Sequence, residues 1–132
     1  MTTFDHERLD VYKAAIEFVA ISDDVVEHLP RGRRYLADQL QRALVSIPLN
    51  IAEGAREFSR KDKRRFYRIA LRSATESAAI LDVCRRLELD DDTRLRAGRD
   101  LLLRIVAMLT RLTKAEAEPG TGSGSGSGSG SE

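Results

Sequence analysis

The chain has 132 residues, a net charge of +1 from 22 basic and 21 acidic side chains, and one cysteine. Six of its nine glycines fall in residues 120–132, so residues 1–118 contain only three. A segment of this size supports one domain without metals or disulfides. The scarcity of turn residues disfavours an all-β domain. The lone Cys84 excludes an intramolecular disulfide and is typical of a reducing compartment.

The first helix is predicted over residues 7–29, where apolar residues recur at helical spacing. Ser22 and Asp23 interrupt its apolar stripe. Pro30 ends the helix, because proline disfavours helical geometry in the residue before it. The residues predicted to face the core are Tyr12, Ala15, Ile16, Val19, Val26 and Leu29.

The second helix is predicted over residues 33–53, with Pro48 inside it. The helix either ends at Ile47 or continues with a kink at the proline. Ile47 and Ile51 keep i, i+4 spacing across Pro48, which favours the kink. Gly54 is predicted to cap the C-terminus. The predicted inward residues are Leu36, Leu40, Ala43, Leu44, Ile47 and Ile51.

The third helix is predicted to begin at Ser59, where Ser59 and Asp62 form a variant of the capping box, and to end near Leu87. Its predicted inward residues are Phe66, Ile69, Ala70, Ser73, Ser77, Ile80, Leu81, Cys84 and Leu87. Asp90, Asp91 and Asp92 form the next turn and cap a fourth helix over residues 93–117. Its inward seam is Leu95, Gly98, Leu102, Ile105, Leu109 and Leu112.

Four such helices joined by short loops predict an all-α protein. We expect an antiparallel up-down-up-down four-helix bundle over residues 1–118, with helix two kinked at Pro48. Residues 119–132 are predicted to be a disordered Gly/Ser-rich tail. Their regular repeat fits both a natural tail and an expression linker, so we assign them no function. No apolar run approaches the roughly 18 residues of a membrane span, and residues 1–7 do not resemble a signal peptide. We therefore expect a cytoplasmic protein without a membrane partner.

The residue types that support catalysis are sparse and scattered. His6 and His28 stand at opposite ends of the first helix, about 33 Å apart at 1.5 Å per residue, and cannot share a metal. Cys84 lies on the apolar stripe of helix three, which favours a buried side chain over a nucleophile. No glycine-rich phosphate loop is present. We expect no enzymatic activity, no metal and no cofactor.

The small net charge is a cancellation between two segments. Residues 1–30 carry two basic and seven acidic side chains, whereas residues 56–72 carry eight basic and two acidic ones. Arginines that repeat every four residues form one stripe on a helix face. The predicted nucleic-acid-binding residues are Arg56, Arg60, Lys61, Arg64, Arg65, Arg68 and Arg72. A secondary basic patch comprises Arg31, Arg33, Arg34 and Arg42.

Concentrated arginine is typical of phosphate binding, because a guanidinium group binds phosphate through two hydrogen bonds. Two alternatives stay open: a solvated helix face, or a face neutralised by an acidic protein surface such as the first helix of the same or a neighbouring subunit. Tyr67, which lies among the arginines, either stacks on an unpaired base or packs between helices.

Polar residues cluster around Pro48. Asn50 and Glu53 share one side of the helix just past the proline, close to Gly54. We interpret them as a structural motif whose polar contacts set the register between helices, rather than as a catalytic site. Glu53 and Glu76 are the acids most expected to pair with arginine.

The segment Gln39–Ala43 and the run Ser46–Gly54, which reads SIPLNIAEG, closely resemble the four-helix-bundle family of 23S rRNA intervening-sequence proteins. The similarity covers about residues 4–115. Leu49 departs from the family, which usually has a small serine there, and residues 61–65 are more basic than usual. Flanking residues that fit are Phe4, Val11, Tyr12, Leu29, Pro30, Tyr35, Leu36, Ser59, Phe66, Ile69, Ala70, Ser73 and Glu76.

The resemblance implies a bacterial four-helix bundle that often assembles as a ring-like homopentamer. A related branch, the accessory protein of diversity-generating retroelements, binds nucleic acid and a reverse transcriptase, which suggests partners of these kinds. We therefore expect a non-enzymatic homo-oligomer that binds RNA or DNA through the arginine-rich face of helix three. The alternative is a scaffolding homo-oligomer whose basic face docks on an acidic protein surface.

Overall fold

The helical periodicity of the sequence corresponds to four long helices in the computed structural model, which describes residues 2–117. The helices are α1 (Asp10–His28), α2 (Arg34–Arg56), α3 (Arg60–Arg86) and α4 (Asp92–Ala115). Short 3-10 turns precede the first two helices, at Asp5–Arg8 and Arg31–Arg33. The described residues contain no strand, which confirms the all-α fold class. The predicted Gly/Ser-rich tail, residues 119–132, lies outside the described residues.

Side-chain caps determine where α3 and α4 begin. Ser59 Oγ accepts a hydrogen bond from the backbone N–H of Asp62 at 3.0 Å, as the capping pattern predicts. Asp91 Oδ2 accepts one from the backbone N–H of Arg94 at 3.3 Å. The carboxylate also complements the positive end of the helix dipole. These caps confine the preceding connections to residues 57–59 and 87–91.

A substitution at Ser59 measures how much the hydrogen bond from the Asp62 N–H to Ser59 Oγ contributes to stability. Ser59→Ala is expected to lower the free energy of unfolding by about 1 kcal/mol, because the Asp62 N–H loses its partner. Urea denaturation followed by circular dichroism gives the difference. Ser59→Asp keeps an oxygen acceptor and is the matched control, expected within about 0.5 kcal/mol of the wild type. Equal losses in both variants would contradict the capping role.

The buried face of α1 is offset by one residue from the predicted stripe. Ile16, predicted to face the core, is 46% exposed. Phe18 was not among the predicted inward residues, yet it is fully buried. Burying its large ring removes more apolar surface from water than burying the smaller side chains beside it. Ser22 lies on the buried face instead of interrupting it. The buried residues of α1 are Val11, Ala14, Ala15, Phe18, Ser22 and Val25.

The inward faces of the other helices agree closely with the predicted spacing. All six predicted residues of α2 are buried, and so are the predicted residues of α4 except Leu112, which packs half-buried against the core. In α3 the exceptions are Phe66 and Ile69, which are half-buried, and Leu87, which is 44% exposed. Leu87 lies beyond the end of α3 at Arg86, where helical spacing no longer determines which way a side chain faces.

The four helices enclose one hydrophobic core. Each packs against its neighbours along the chain, and α1 also packs against α4. Pro48 is buried inside α2, which runs unbroken from Arg34 to Arg56, so the alternative in which the helix ends at Ile47 is wrong.

The junction between α2 and α3 differs from its prediction. Gly54 does not cap α2 but lies inside it, since the helix continues to Arg56. A Cβ atom at Gly54 would lie 2.6 Å from Cε1 of Tyr67, a ring that is only 3% exposed. Lys63 Nζ donates hydrogen bonds to the carbonyls of Gly54 at 3.2 Å and Ala55 at 2.9 Å. We call Gly54, Ala55, Lys63 and Tyr67 the α2–α3 corner.

Candidate nucleic-acid interface

Five basic residues in the first half of α3 line one open depression, which we call the arginine groove. Helical spacing of three and four residues places them on the same face of α3. The depression has a volume of about 340 Å³ and contains five cations against one carboxylate. Its lining residues are Lys61, Asp62, Arg64, Arg65, Arg68, Ile69 and Arg72. The structure therefore brings together five of the seven residues predicted to bind nucleic acid.

The side chains of the arginine groove face solvent to different degrees. Lys61, Arg65, Arg68 and Arg72 are exposed, and Arg64 is half-buried. The guanidinium carbon of Arg65 lies 4.5 Å from the centre of the Phe66 ring, which holds the cation in a cation–π contact. Lys63 of α3 does not line the groove, because its Nζ donates hydrogen bonds to carbonyl oxygens near the end of α2.

Arg56 and Arg60 do not line the arginine groove. Both are exposed, one at the last position of α2 and the other at the first position of α3. They flank the connection at residues 57–59. Phe58 in this connection is fully exposed, at 101% of its reference area. Phe58 is not among the residues predicted from the sequence, because an isolated aromatic residue outside a helical stripe gives no periodic signal.

Tyr67 is not available to stack on a base. Its ring is buried against Gly54 in the α2–α3 corner. Burial raises the pKa of the Tyr67 hydroxyl, and the nearby Glu116 carboxylate raises it further. Of the two alternatives for Tyr67, packing between helices is the one that the structure supports.

No residue of the secondary basic patch lines the arginine groove. Arg31, Arg34 and Arg42 are exposed, whereas Arg33 is half-buried and donates a hydrogen bond to the Tyr35 hydroxyl at 3.2 Å. The patch lies on the 3-10 turn at Arg31–Arg33 and on α2, whereas every residue that lines the groove belongs to α3.

Ion pairs within residues 2–117 include four that connect arginines of α3 and α4 to aspartates near their junction. None of the four involves a cation of the arginine groove, nor Glu53 or Glu76, which were predicted to pair with arginine and are exposed. The pairs are Arg85–Asp92, Arg94–Asp90, Arg96–Asp92 and Arg99–Asp82. The pairing with Arg85 and Arg96 lowers the pKa of Asp92.

The polar residues near Pro48 connect α2 to α3. Asn50 Nδ2 donates hydrogen bonds to the carbonyl and the hydroxyl of Ser46, at 2.8 and 3.0 Å. Ser73 Oγ donates to Ser46 Oγ at 2.8 Å across the helix interface. Ser77 Oγ donates in turn to the carbonyl of Ser73 at 2.9 Å. The chain of polar contacts thus runs from Asn50 into the buried face of α3.

Residue types associated with catalysis make packing or local contacts. His6 stacks on Phe4, and His28 Nδ1 lies 2.7 Å from the carbonyl of Asp24. Cys84 is buried, and burial raises the pKa of its thiol, with a further contribution from Asp90. In the part of the chain from residue 2 to residue 117, no three His, Cys, Asp or Glu side chains are grouped so that they could hold a metal ion. Over the same residues, every helix is too short or too polar to span a membrane.

The fold and the surface together define a small helical bundle protein with an arginine-lined groove. The chain belongs to the family of the 23S rRNA-intervening sequence protein, whose model matches residues 7–111. This match confirms the family resemblance of the SIPLNIAEG segment.

A solved structure has the same fold. It is a protein of unknown function from the S23 ribosomal protein family of Bacteroides thetaiotaomicron, which aligns with a TM-score of 0.73 and 24% sequence identity. The alignment covers 79% of this chain and 98% of that one. A search of curated proteins finds no significant match.

Proposed function

We propose that this protein is a non-enzymatic, homo-oligomeric helical bundle that binds RNA or DNA through the arginine groove. The observation that carries the proposal is the convergence of five cations on one open depression of α3. Arg56 and Arg60 extend the basic surface past the start of that helix. The secondary basic patch is a separate contact for a longer nucleic acid.

The electrostatics of α3 support an anionic ligand. Like charges four residues apart destabilise a helix by about 0.2–0.5 kcal/mol per pair, and Arg60, Arg64, Arg68 and Arg72 make three such pairs. Phosphate groups bound along the groove would offset this repulsion. Arginine suits the task because its planar guanidinium group binds phosphate oxygens through two parallel hydrogen bonds.

The proposal includes an up-down-up-down arrangement of the helices and a bend of α2 at Pro48. Contacts at two levels support antiparallel packing of α2 and α3: Ser46 with Ser73, and Gly54 with Tyr67. The bend follows from the proline, which removes a backbone hydrogen bond inside α2.

The proposed assembly and partners rest on the family resemblance described above. It suggests a homopentamer, a relationship to the accessory protein of diversity-generating retroelements and a reverse transcriptase as protein partner. We place the protein in the cytoplasm.

A salt titration tests nucleic-acid binding directly. Affinity for short RNA and DNA strands, measured by fluorescence anisotropy, is expected to fall linearly on a plot of log affinity against log salt. The slope should reach about −0.7 for each phosphate of a single strand that the groove neutralises. If the wild type binds neither RNA nor DNA at about 50 mM salt, where such contacts are strongest, the proposal is wrong.

The exposure of acidic residues in the first part of the chain favours a second candidate, the scaffolding homo-oligomer. All seven acidic side chains of residues 1–30 are exposed, so they could meet the basic face of a neighbouring subunit. Light scattering of the protein alone at about 50 mM and about 1 M salt separates the candidates, because the higher concentration screens charges beyond about 3 Å. Dissociation at high salt supports the scaffold, and an unchanged mass contradicts it.

A further inference from the structure

Phe58 exposes an aromatic ring to solvent beside the basic surface. It lies in the connection between α2 and α3 and is 101% exposed, so the side chain makes almost no packing contact with the protein. Burying a large apolar side chain is favourable, and Phe58 gains none of this free energy within its own chain. A partner that covers the ring would recover that free energy.

Hydrogen bonds on both sides of Phe58 hold its backbone in place. The Glu57 N–H donates to the carbonyl of Gly54 at 3.3 Å. On the other side, Ser59 Oγ caps the first turn of α3. The Phe58 ring therefore projects from a short connection that is fixed at both ends, which lowers the entropic cost of using it as a binding platform.

The charges around Phe58 favour a phosphate-bearing partner. Arg56, Arg60 and Lys61, all within three residues of it along the chain, are exposed. Glu57 is the one acidic residue next to Phe58, and it is half-buried. An aromatic ring flanked by exposed cations matches a nucleotide, which presents a flat base beside a phosphate.

Neighbouring aromatic residues are already engaged. The Phe66 ring is covered by the guanidinium group of Arg65, and the Tyr67 ring is buried against Gly54. In the segment from Arg56 to Arg72, Phe58 is thus the aromatic side chain whose faces are open.

We propose that Phe58 stacks on an unpaired base, so that the basic surface binds single-stranded nucleic acid in preference to a duplex. This inference rests on the proposed function of the arginine groove. A duplex keeps its bases stacked on one another, whereas a single strand can place one base on the ring while its phosphates contact Arg56, Arg60 and the groove. Such stacking is tolerant of sequence, because every base has an aromatic face.

Substitutions at Phe58 separate stacking from charge. Phe58→Leu keeps an apolar side chain and every cation but removes the aromatic face, whereas Phe58→Trp keeps it. Affinities for a uridine strand, a thymidine strand and a duplex of the same phosphate number would be measured at one salt concentration. Phe58→Leu is expected to lower single-strand affinity about tenfold and duplex affinity less than about twofold. Phe58→Trp is expected to bind like the wild type.

A control and a second measurement exclude other roles for Phe58. Leu103→Ala removes an exposed apolar side chain from α4 and is expected to leave all three affinities unchanged. Light scattering of Phe58→Leu is expected to give the wild-type mass. A changed mass would identify Phe58 as a contact between subunits and overturn the inference. Unchanged single-strand affinity, or an equal loss for strand and duplex, would overturn it while the proposed function stands. Failure of the wild type to bind any of the three would overturn both.

Discussion

Replacing Arg64, Arg65 and Arg72 together with glutamate is expected to lower nucleic-acid affinity by about two to three orders of magnitude near 0.1 M salt. Each lost phosphate contact means that about one fewer counterion is released on binding. This lowers the affinity roughly tenfold at that salt concentration. The slope of log affinity against log salt should become shallower by about 2 to 3. Fluorescence anisotropy over a salt series measures both quantities.

The matched control variant makes the same change in net charge at arginines outside the arginine groove. Arg86, Arg104 and Arg111 are exposed on α3 and α4 and do not line the arginine groove. Their combined replacement by glutamate changes the net charge equally and is expected to lower affinity less than about tenfold, through the long-range field alone. Circular dichroism should show wild-type helix content in both triple variants. Equal losses of affinity would show that binding follows net charge and not the groove.

Gly54→Ala is expected to destabilise the protein by about 1–3 kcal/mol, although alanine normally stabilises a helix interior relative to glycine by about 1 kcal/mol. The sign reverses because the new Cβ atom would lie 2.6 Å from Cε1 and 2.8 Å from Cδ1 of Tyr67. The ring is buried and cannot move aside without disturbing the core. Urea denaturation followed by circular dichroism measures the free energy of unfolding.

Two further variants assign the effect of Gly54→Ala to this contact. Gly32→Ala is the control, because a Cβ atom there meets nothing within 4 Å, and it should change stability by less than about 0.5 kcal/mol. Gly54→Ala combined with Tyr67→Leu should cost less than the sum of the two single changes, since the smaller side chain makes room for the new methyl group. A Gly54→Ala variant as stable as the wild type would rule out the packing role of this glycine.

The buried face of a helix was predictable where large apolar residues recur along one side of it. Leucine and isoleucine recur at helical spacing along most of α2, from Leu36 to Ile51, and place its inner face correctly. Val45 and Leu49, also apolar, are exposed and occupy only part of the helix. In α1, apolar residues border the true face on both sides, so the pattern is compatible with a rotation by one residue. Only the packing of Phe18 against the other helices determines which of the two possible faces of α1 is buried. For Gly54, the sequence suggests a cap, but its role depends on a ring 13 positions further along the chain.

The candidate site was partly predictable for a similar reason. A repeat of arginines every four residues places Arg64, Arg68 and Arg72 on one face from helical geometry alone, and α3 has that geometry. Sequence does not reveal that Lys63 bonds to carbonyls of α2, nor that Tyr67 points inward and Phe58 outward. These outcomes depend on which surfaces meet across the α2–α3 corner, and therefore on tertiary packing.

The α2–α3 corner also has a consequence for the order of folding. Lys63 and Gly54 are only nine positions apart in the sequence, so joining them closes a short loop and costs little chain entropy. Contacts of low sequence separation form quickly, whereas the packing of α1 on α4 must bring together distant parts of the chain. We expect the corner to form early. The surface proposed to meet nucleic acid would then be in place before the core is closed.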